Sequence, residues 1–510
     1  MTARLGRRGF VSGAVALPVA LTAPSLSRAA SAMGFDDARH LLSRTSFGGT
    51  PAEIQALEPL DFTAVVDRML SRSRTLASAP APGWVDEAPS FVRQQREAAA
   101  RKEADGKPVN VVAQLIREQG RELRCWWVEE MLVTDQPLVE KMTLFWHNHF
   151  TSSVQKVRYV PSLYRQNVLF RREALGNFAT LLKAVARDPA MLIYLDGVRN
   201  VARQPNENFA RELLELFTLG EGHYSEADIK NAARAFTGWS IDRDTGQFLD
   251  RMQQHDNGEK TFLGQTGAFN GDDIIAILLR QPRTAETIVE KLWREFVSLT
   301  PDRAEIGRLA GIFRSSNYEM KPLLRAMFLS PAFRDPGNRG ALIKSPVELI
   351  VGTAHLLGLP VPEKTPLVRM MAGLGQSLFD PPNVKGWPGG ESWITTNTLL
   401  LRQQFLRRMI EASTVSSLDG NMAMAPNRRA ERRQQVGPDQ AMANMRPVEG
   451  RSLRDAGYEA RLGPTLLGVD TGRLVRTLLP HKPIDAVDTT GLSAGAVVAA
   501  ALLDPAYQLK

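Results

Sequence analysis

The most informative stretch of the sequence is Asn206–Trp239, which reads NENFARELLELFTLGEGHYSEADIKNAARAFTGW. Pro205 precedes it and Gly220 follows a first amphipathic segment, so helix start and stop signals bracket that segment. Its apolar residues recur at three- and four-residue steps, which predicts a core-facing stripe. Ser225 followed by Asp228 predicts the capped start of a second helix. The stretch therefore indicates two packed helices in a mainly α protein.

The opposite face of the first predicted helix is densely charged. Glu207, Arg211 and Glu215 recur at four-residue spacing, and Glu212 lies on the flank between them. Such groups are costly to bury unless they are paired. Two interpretations stay open here: an active site at the seam between the two helices, or a buried ion-pair network, which perturbs charged groups just as much.

A histidine-rich segment, KMTLFWHNHF at 141–150, lies upstream of this stretch. If the segment is helical, His147 and His149 are about 200° apart around the axis and cannot share one metal ion. If the backbone extends before the histidines, the two side chains point the same way and form a ligand pair. Taken alone, His149 is either a core histidine bonded to Glu207 or Glu212, or a metal ligand or proton carrier.

Turn signals change the pattern after Trp239. Asp244–Gly246 and Asn257-Gly258 separate short alternating runs, which predicts an antiparallel sheet of two or three strands at 240–264, inserted in the helical body. His255 lies in this insertion beside Asp256. It remains a candidate ligand because it follows directly from the helix pair.

The loop at 379–393, FDPPNVKGWPGGESW, is too rich in proline and glycine to be helical. A functional interpretation makes Trp387 or Trp393 a stacking surface and Lys385 a charge for an anionic group. The alternative is a loop that its own tryptophans hold against the helices. We refer to this segment as the Gly-Trp loop.

The N-terminus resembles an export address. Arg7-Arg8 precedes a mildly apolar stretch, and Ala30-Ser31-Ala32 supplies small residues for cleavage, so residues 1–32 are predicted to be a twin-arginine signal peptide. The expected destination is the periplasm or the exterior, with no membrane span after the signal is removed. Cys125 is the only cysteine, so no intrachain disulfide is possible.

Composition and charge indicate the domain organisation and argue against one class of binding partner. The formal net charge of +8 includes four arginines of the signal segment, and the basic cluster at 428–433 has no interleaved aromatic residue, so nucleic acid is not an expected partner. We expect a helical main domain at 33–414, a flexible basic linker at 415–450, and a C-terminal helical segment at 451–510 that docks on the main domain.

Five motifs carry a family resemblance: LLSRTSFGGT, FWHNHF, the stretch from Gln204 to Trp239, HDNGEKTFLG and PPNVKGWPGGESW. Together they resemble the family called domain of unknown function 1800, over almost all of the chain that follows the signal segment. The resemblance implies a mostly helical bacterial protein, often exported and often encoded beside a sulfatase-like partner. It implies no established activity, and it carries over no catalytic residue.

The resulting functional expectation is an exported metal-dependent hydrolase with a His/Glu site and a divalent metal ion. The alternative is a non-catalytic binding or assembly protein that acts with a secreted sulfatase-like partner. HExxH and phosphate-binding glycine motifs do not occur. The expected site consists of catalytic residues Glu207, Glu212 and Arg211, substrate-binding residues Lys385, Trp387 and Trp393, and metal ligands His149, His147 and His255.

Overall fold

A computed structural model describes residues 32–72, 75–89, 111–358, 361–415, 466, 468–485 and 491–510. Helices make up most of these residues, and the strands form two short antiparallel hairpins. The expected mainly α fold with a small antiparallel β insertion is thereby confirmed. The predicted signal segment up to residue 31 and the predicted linker beyond residue 415 lie outside the described residues.

The helices before the organising stretch form the first half of the body. They are α1 Gly34–Thr45, α2 Pro51–Leu57, α3 Phe62–Ser71, α4 Val111–Val133, α5 Pro137–His149, α6 Val154–Val157, α7 Val160–Arg172, α8 Phe178–Ala186 and α9 Pro189–Tyr194. Side-chain caps define several of their starts. Thr50 and Glu53 form a reciprocal capping box at α2.

The organising stretch forms α10 Asn208–Glu212, a π-helix at Leu213–Thr218, and α11 Glu226–Ala235. The predicted capping box of Ser225 and Asp228 at α11 is confirmed. The first segment is not one α-helix, because its hydrogen bonding widens to a five-residue step after Glu212. Its apolar stripe is nevertheless in the core, where Phe209, Leu213 and Phe217 are buried.

The β insertion consists of two separate hairpins. Strand β1 Trp239–Ile241 pairs with β2 Phe248–Asp250, and β3 Lys260–Phe262 pairs with β4 Gln265–Gly267. The single sheet of two or three strands expected at 240–264 is therefore wrong in strand count and connection. A 3₁₀ turn at Met252–Gln254 separates the hairpins, so the second one pairs only with itself.

The second half of the body is helical again. Its helices are α12 Gly271–Arg280, α13 Pro282–Phe296, α14 Arg303–Ser315, α15 Met320–Phe328, α16 Pro331–Arg334, α17 Pro346–Leu357, α18 Thr365–Gly373, α19 Thr396–Val415, α20 Thr471–Leu478 and α21 Ala494–Leu503. None of the helices in the described ranges has both the length and the apolar character that crossing a membrane requires.

The C-terminal helices share the core of the main body. Leu474 and Leu478 of α20 and Val498 of α21 belong to the same buried apolar cluster as the helices of the first half. Backbone pairing at Ile343 and Leu509 also joins the end of the chain to the segment before α17. The last residues thus form one wall of the folded body.

Candidate functional site

Helix α5 is unbroken through His149, so His147 and His149 point to opposite sides of it. His147 is fully buried, and its Nε2 accepts a hydrogen bond of 3.2 Å from the backbone N–H of Phe379. Its ring packs edge-on against Trp127. Burial, together with the charge of Arg124, lowers the pKa of His147 to about 3. His147 is therefore a neutral core residue that supports the Gly-Trp loop.

His149 has a different partner from the two that the sequence suggested. Its Nδ1 lies 3.0 Å from the Lys291 ammonium nitrogen, and neither Glu207 nor Glu212 bonds to it. Lys291 also donates a hydrogen bond of 2.7 Å to the backbone carbonyl of Leu216. Burial lowers the pKa of Lys291 to about 8. Burial and the Lys291 charge hold the pKa of His149 well below its usual range.

The contact between Lys291 and His149 belongs to the C-terminal end of the π-helix. Arg283, Thr287 and Lys291 recur at four-residue spacing on one face of α13. Arg283 and Thr287 each donate a hydrogen bond of 3.1 Å to the carbonyl of Leu219, and Lys291 binds the carbonyl of Leu216. Carbonyls at a helix end need such donors because they have no partner within the helix. The pair thus has a structural role.

His255 lies elsewhere, between the two β hairpins. Its Nδ1 is 2.9 Å from the backbone carbonyl of Thr237. The neighbouring Asp256 forms an ion pair of 2.7 Å with Arg234 on α11. Both side chains thus hold the hairpins against α11.

The three histidines proposed as metal ligands, His147, His149 and His255, are not brought together. Each one has its own partner, on a different element. Within the described ranges, no group of three or more His, Cys, Asp or Glu side chains is placed to hold one metal ion. These donors do not fit the expected divalent metal site, so we derive no reaction step through a metal.

Glu207 and Arg211 form ion pairs at the surface. The Arg211 guanidinium binds Glu207 at 3.1 Å and Glu226 of α11 at 2.9 Å. The three side chains are 36%, 35% and 67% exposed, in the order Arg211, Glu207, Glu226. Solvated pairs of this kind contribute little to stability, at most about 1 kcal/mol. The structure therefore shows neither a buried network here nor a contact between Glu207 and the histidines.

Glu212 is the one residue of the predicted catalytic set that has no partner. It is half-buried at the junction of α10 and the π-helix, and no side chain or backbone group of the described residues forms a hydrogen bond or ion pair with its carboxylate. Burial raises the pKa of this carboxyl, and the nearby Glu215 carboxylate raises it further. Lys385 and Arg211 offset part of that increase.

Glu215 is held by partners from two directions. The Tyr224 hydroxyl donates a hydrogen bond of 3.0 Å to it, and the Lys385 ammonium lies 3.7 Å away. Lys385 also pairs with Glu221 at 2.9 Å. We call Glu212, Glu215, Tyr224 and Lys385 the seam cluster. It joins the π-helix to the Gly-Trp loop.

The Gly-Trp loop is anchored next to the seam cluster by the end of α5. The side-chain oxygen of Asn148 accepts a hydrogen bond of 2.7 Å from the backbone N–H of Trp387. Gly386 has a φ of +82°, and a Cβ there would come within 2.3 Å of the same oxygen, so only glycine fits. Trp387 and Trp393 are only 3% and 7% exposed, so neither ring presents a stacking surface. Lys385 remains 61% exposed.

Three residues of this region were absent from the sequence-based site: Asn148, Glu215 and Tyr224. Glu215 follows Glu212 by three residues, and this spacing was a readable signal for a carboxylate pair. Asn148 lies between His147 and His149 in the sequence, but its hydrogen-bond partner, Trp387, is 239 positions further along the chain. No local pattern predicts that contact.

Comparison with known proteins gives one match. The family described as "Protein of unknown function (DUF1800)" matches residues 40–509. No curated protein and no solved structure matches the chain.

Proposed function

For this chain, which belongs to the family described as protein of unknown function (DUF1800), we propose a function from the geometry of the seam cluster. The proposal is an exported hydrolase-type enzyme whose acid–base group is Glu212. The observation that carries it is the half-buried carboxylate of Glu212, which has no partner among the described residues and lies beside Glu215.

The two carboxylates have different surroundings. No donor among the described residues bonds to the Glu212 carboxylate, and burial raises the pKa of this carboxyl. Glu215 receives a hydrogen bond of 3.0 Å from the Tyr224 hydroxyl and lies 3.7 Å from the Lys385 ammonium. Paired carboxylates in unequal environments supply a proton donor beside a stable anion. In a hydrolysis, Glu212 would give its proton to the leaving group.

The π-helix supports this assignment. Segments with five-residue hydrogen bonding are rare, and they frequently occur at functional sites. Here the π-helix begins directly after Glu212 and contains Glu215, so the widened turn sets the relative positions of the two carboxylates. The charged Lys385 comes from the neighbouring loop and remains exposed to a substrate.

The experiment compares wild type with Glu212→Gln on chromogenic ester, phosphate-ester and glycoside substrates. General acid–base catalysis contributes roughly 10²–10⁴-fold, so the variant should lose about that much kcat/KM on the substrate that wild type cleaves. Its melting temperature should not fall, because no described group bonds to the Glu212 carboxylate and the substitution leaves no partner unsatisfied. Wild-type activity should decline as pH rises through the raised pKa of Glu212, and it should survive EDTA.

Glu207→Gln is the matched control, since Glu207 lies on the same helical stretch in a solvated ion pair. It should leave activity unchanged. Equal activity of wild type and Glu212→Gln would contradict the proposal. If wild type cleaves none of the three substrate classes, the result favours the alternative function, which is a non-catalytic binding or assembly protein that acts with a secreted sulfatase-like partner.

A further inference from the structure

A second group of polar and charged side chains lies away from the seam cluster and has no role in the proposed function. A cleft of about 470 Å³, including its opening to solvent, lies between α1, the start of α17 and the C-terminal segment. Its polar lining includes Arg39, Ser43, Lys344, Glu348, Thr477 and Tyr507. These residues come from three distant parts of the chain, which only the folded structure brings together.

Arg39 is a buried cation without a partner. Its side chain belongs to a residue that is 7% exposed, and within the part of the chain that the structure describes no acceptor bonds to its guanidinium. The acids on the same helix are engaged elsewhere. Asp36 pairs with Arg476 at 3.1 Å, and Asp37 pairs with two other arginines. The guanidinium donors of Arg39 are therefore available to an acceptor that enters the cleft.

Lys344 is the second cation of the cleft. Its ammonium lies 3.6 Å from the centre of the Tyr507 ring, and it has no hydrogen bond to any described residue. Burial, together with the charges of Arg39 and Arg402, lowers the pKa of Lys344 to about 7, against the opposing effect of Glu348. A bound anion would raise the pKa of Lys344 again, because it favours the charged ammonium.

The acid of the lining, Glu348, is already neutralised. Lys141 and Lys510 both bind one of its oxygens, and the backbone N–H of Ser345 donates a hydrogen bond of 2.8 Å to the other. The hydroxyl of Thr477 is buried and has no partner among the described residues. Among the described residues, the lining of the cleft therefore includes two cations without a hydrogen-bond acceptor and one hydroxyl without a partner, while its carboxylate is fully engaged.

We propose that this cleft binds a phosphate-type oxyanion, either free or as the anionic group of a larger molecule. Arg39 would bind two oxygens through its planar fork, Lys344 would act as a point charge, and Thr477 would donate its hydroxyl. A tetrahedral group has more oxygens to accept from these three side chains than a flat carboxylate has. The inference does not depend on the Glu212 chemistry, because the two sites share no residue.

The test measures binding to the full exported chain by calorimetry and thermal shift, at constant ionic strength with chloride as the balancing ion. The probes are inorganic phosphate, sulfate, acetate and glycerol 3-phosphate. Phosphate should raise the melting temperature and bind with a measurable Kd. Arg39→Met and Lys344→Met should each weaken binding at least about tenfold, since each removes a charge-assisted hydrogen bond.

Neither substitution removes a hydrogen bond to a described residue, so the folded state should tolerate both. Thr477→Val keeps the side-chain shape and should weaken binding to a smaller extent. Arg325→Met is the matched control: Arg325 is exposed and paired with Asp67, so its loss should leave binding unchanged.

The outcomes separate the sources of the anion. Tighter binding of glycerol 3-phosphate than of phosphate supports an anionic group on a larger molecule, and the reverse order supports a free oxyanion. An equal response to acetate overturns the choice of a phosphate-type group. Absence of binding by all four probes, or binding that neither cation substitution changes, overturns the site itself.

Discussion

Asp188 shows how a single capping residue makes the stability of this protein depend on pH. As the run Asp188-Pro189-Ala190 predicts, its carboxylate caps α9, where it accepts a hydrogen bond of 2.8 Å from the backbone N–H of Met191. Gln166 donates a second one at 2.7 Å. Burial nevertheless raises the pKa of Asp188 from its ordinary 3.8 to about 7, because desolvation outweighs these hydrogen bonds.

Because the pKa of Asp188 is raised in the folded state, this residue contributes less stability as the pH rises. The folded state binds the Asp188 proton more tightly than the unfolded state, so this group stabilises the protein fully below pH ~4 and loses that contribution as pH rises through about 7. Asp188→Asn keeps an acceptor for the cap but removes the buried charge. At pH 8 the variant should therefore exceed wild type in unfolding free energy, by up to ~4 kcal/mol.

Denaturant unfolding at pH 5 and pH 8 measures this difference. The gain should shrink at pH 5. Asp61→Asn is the control, because Asp61 caps α3 in a more exposed position. A difference between Asp188→Asn and wild type that is the same at both pH values would contradict the assigned pKa direction.

At the scale of elements, the π-helix depends on donors from a neighbouring helix. Lys291 on α13 satisfies the carbonyl of Leu216 and the Nδ1 atom of His149 at once. Lys291→Met retains the packing of the stem but leaves both acceptors without a donor. Unsatisfied buried acceptors cost about 1–3 kcal/mol each, so the unfolding free energy should fall by roughly 2–4 kcal/mol.

Chemical denaturation of Lys291→Met and Arg294→Met tests this role. Arg294 lies on the same helix, is 54% exposed and serves as the matched control, whose loss should change stability little. Wild-type stability of Lys291→Met would show that the π-helix does not need this donor. It would reopen the interpretation of His149 as a functional group.

The whole molecule is held together by its core, since Cys125 is its only cysteine. One continuous apolar cluster reaches from Met33 at the start of α1 to Tyr507 near the C-terminus. Twin-arginine export carries proteins that are already folded, and a chain that needs no disulfide suits this route. Export by this route remains a prediction that concerns the entire chain.

Replacing both Arg7 and Arg8 with Lys should leave the precursor in the cytoplasm, because the export receptor reads the arginine pair and lysine keeps only the charge. Fractionation of cells that express each form measures the periplasmic yield. Arg4→Lys, in the same segment, is the matched control and should be exported normally. An unchanged periplasmic yield of the double variant would contradict the assignment.

The helical body, the presence of an antiparallel insertion and the caps of individual helices could be predicted from the sequence alone. Ser225 with Asp228, and Asp188 with Pro189, predicted two helix starts that the structure shows, because capping acts over three or four residues and is written in adjacent positions. The burial of Phe209 and Phe217 followed from helical spacing in the same local way.

Which polar groups contact each other could not be predicted from the sequence, because these contacts depend on tertiary packing. His149 meets Lys291, which is 142 positions away, and Arg39, Lys344 and Thr477 share one cleft, although nothing near them in the sequence relates them. Such contacts depend on how helices pack rather than on how each one forms. The isolation of Glu212 could not be predicted either, because a lack of partners depends on every neighbour that the fold places around a side chain.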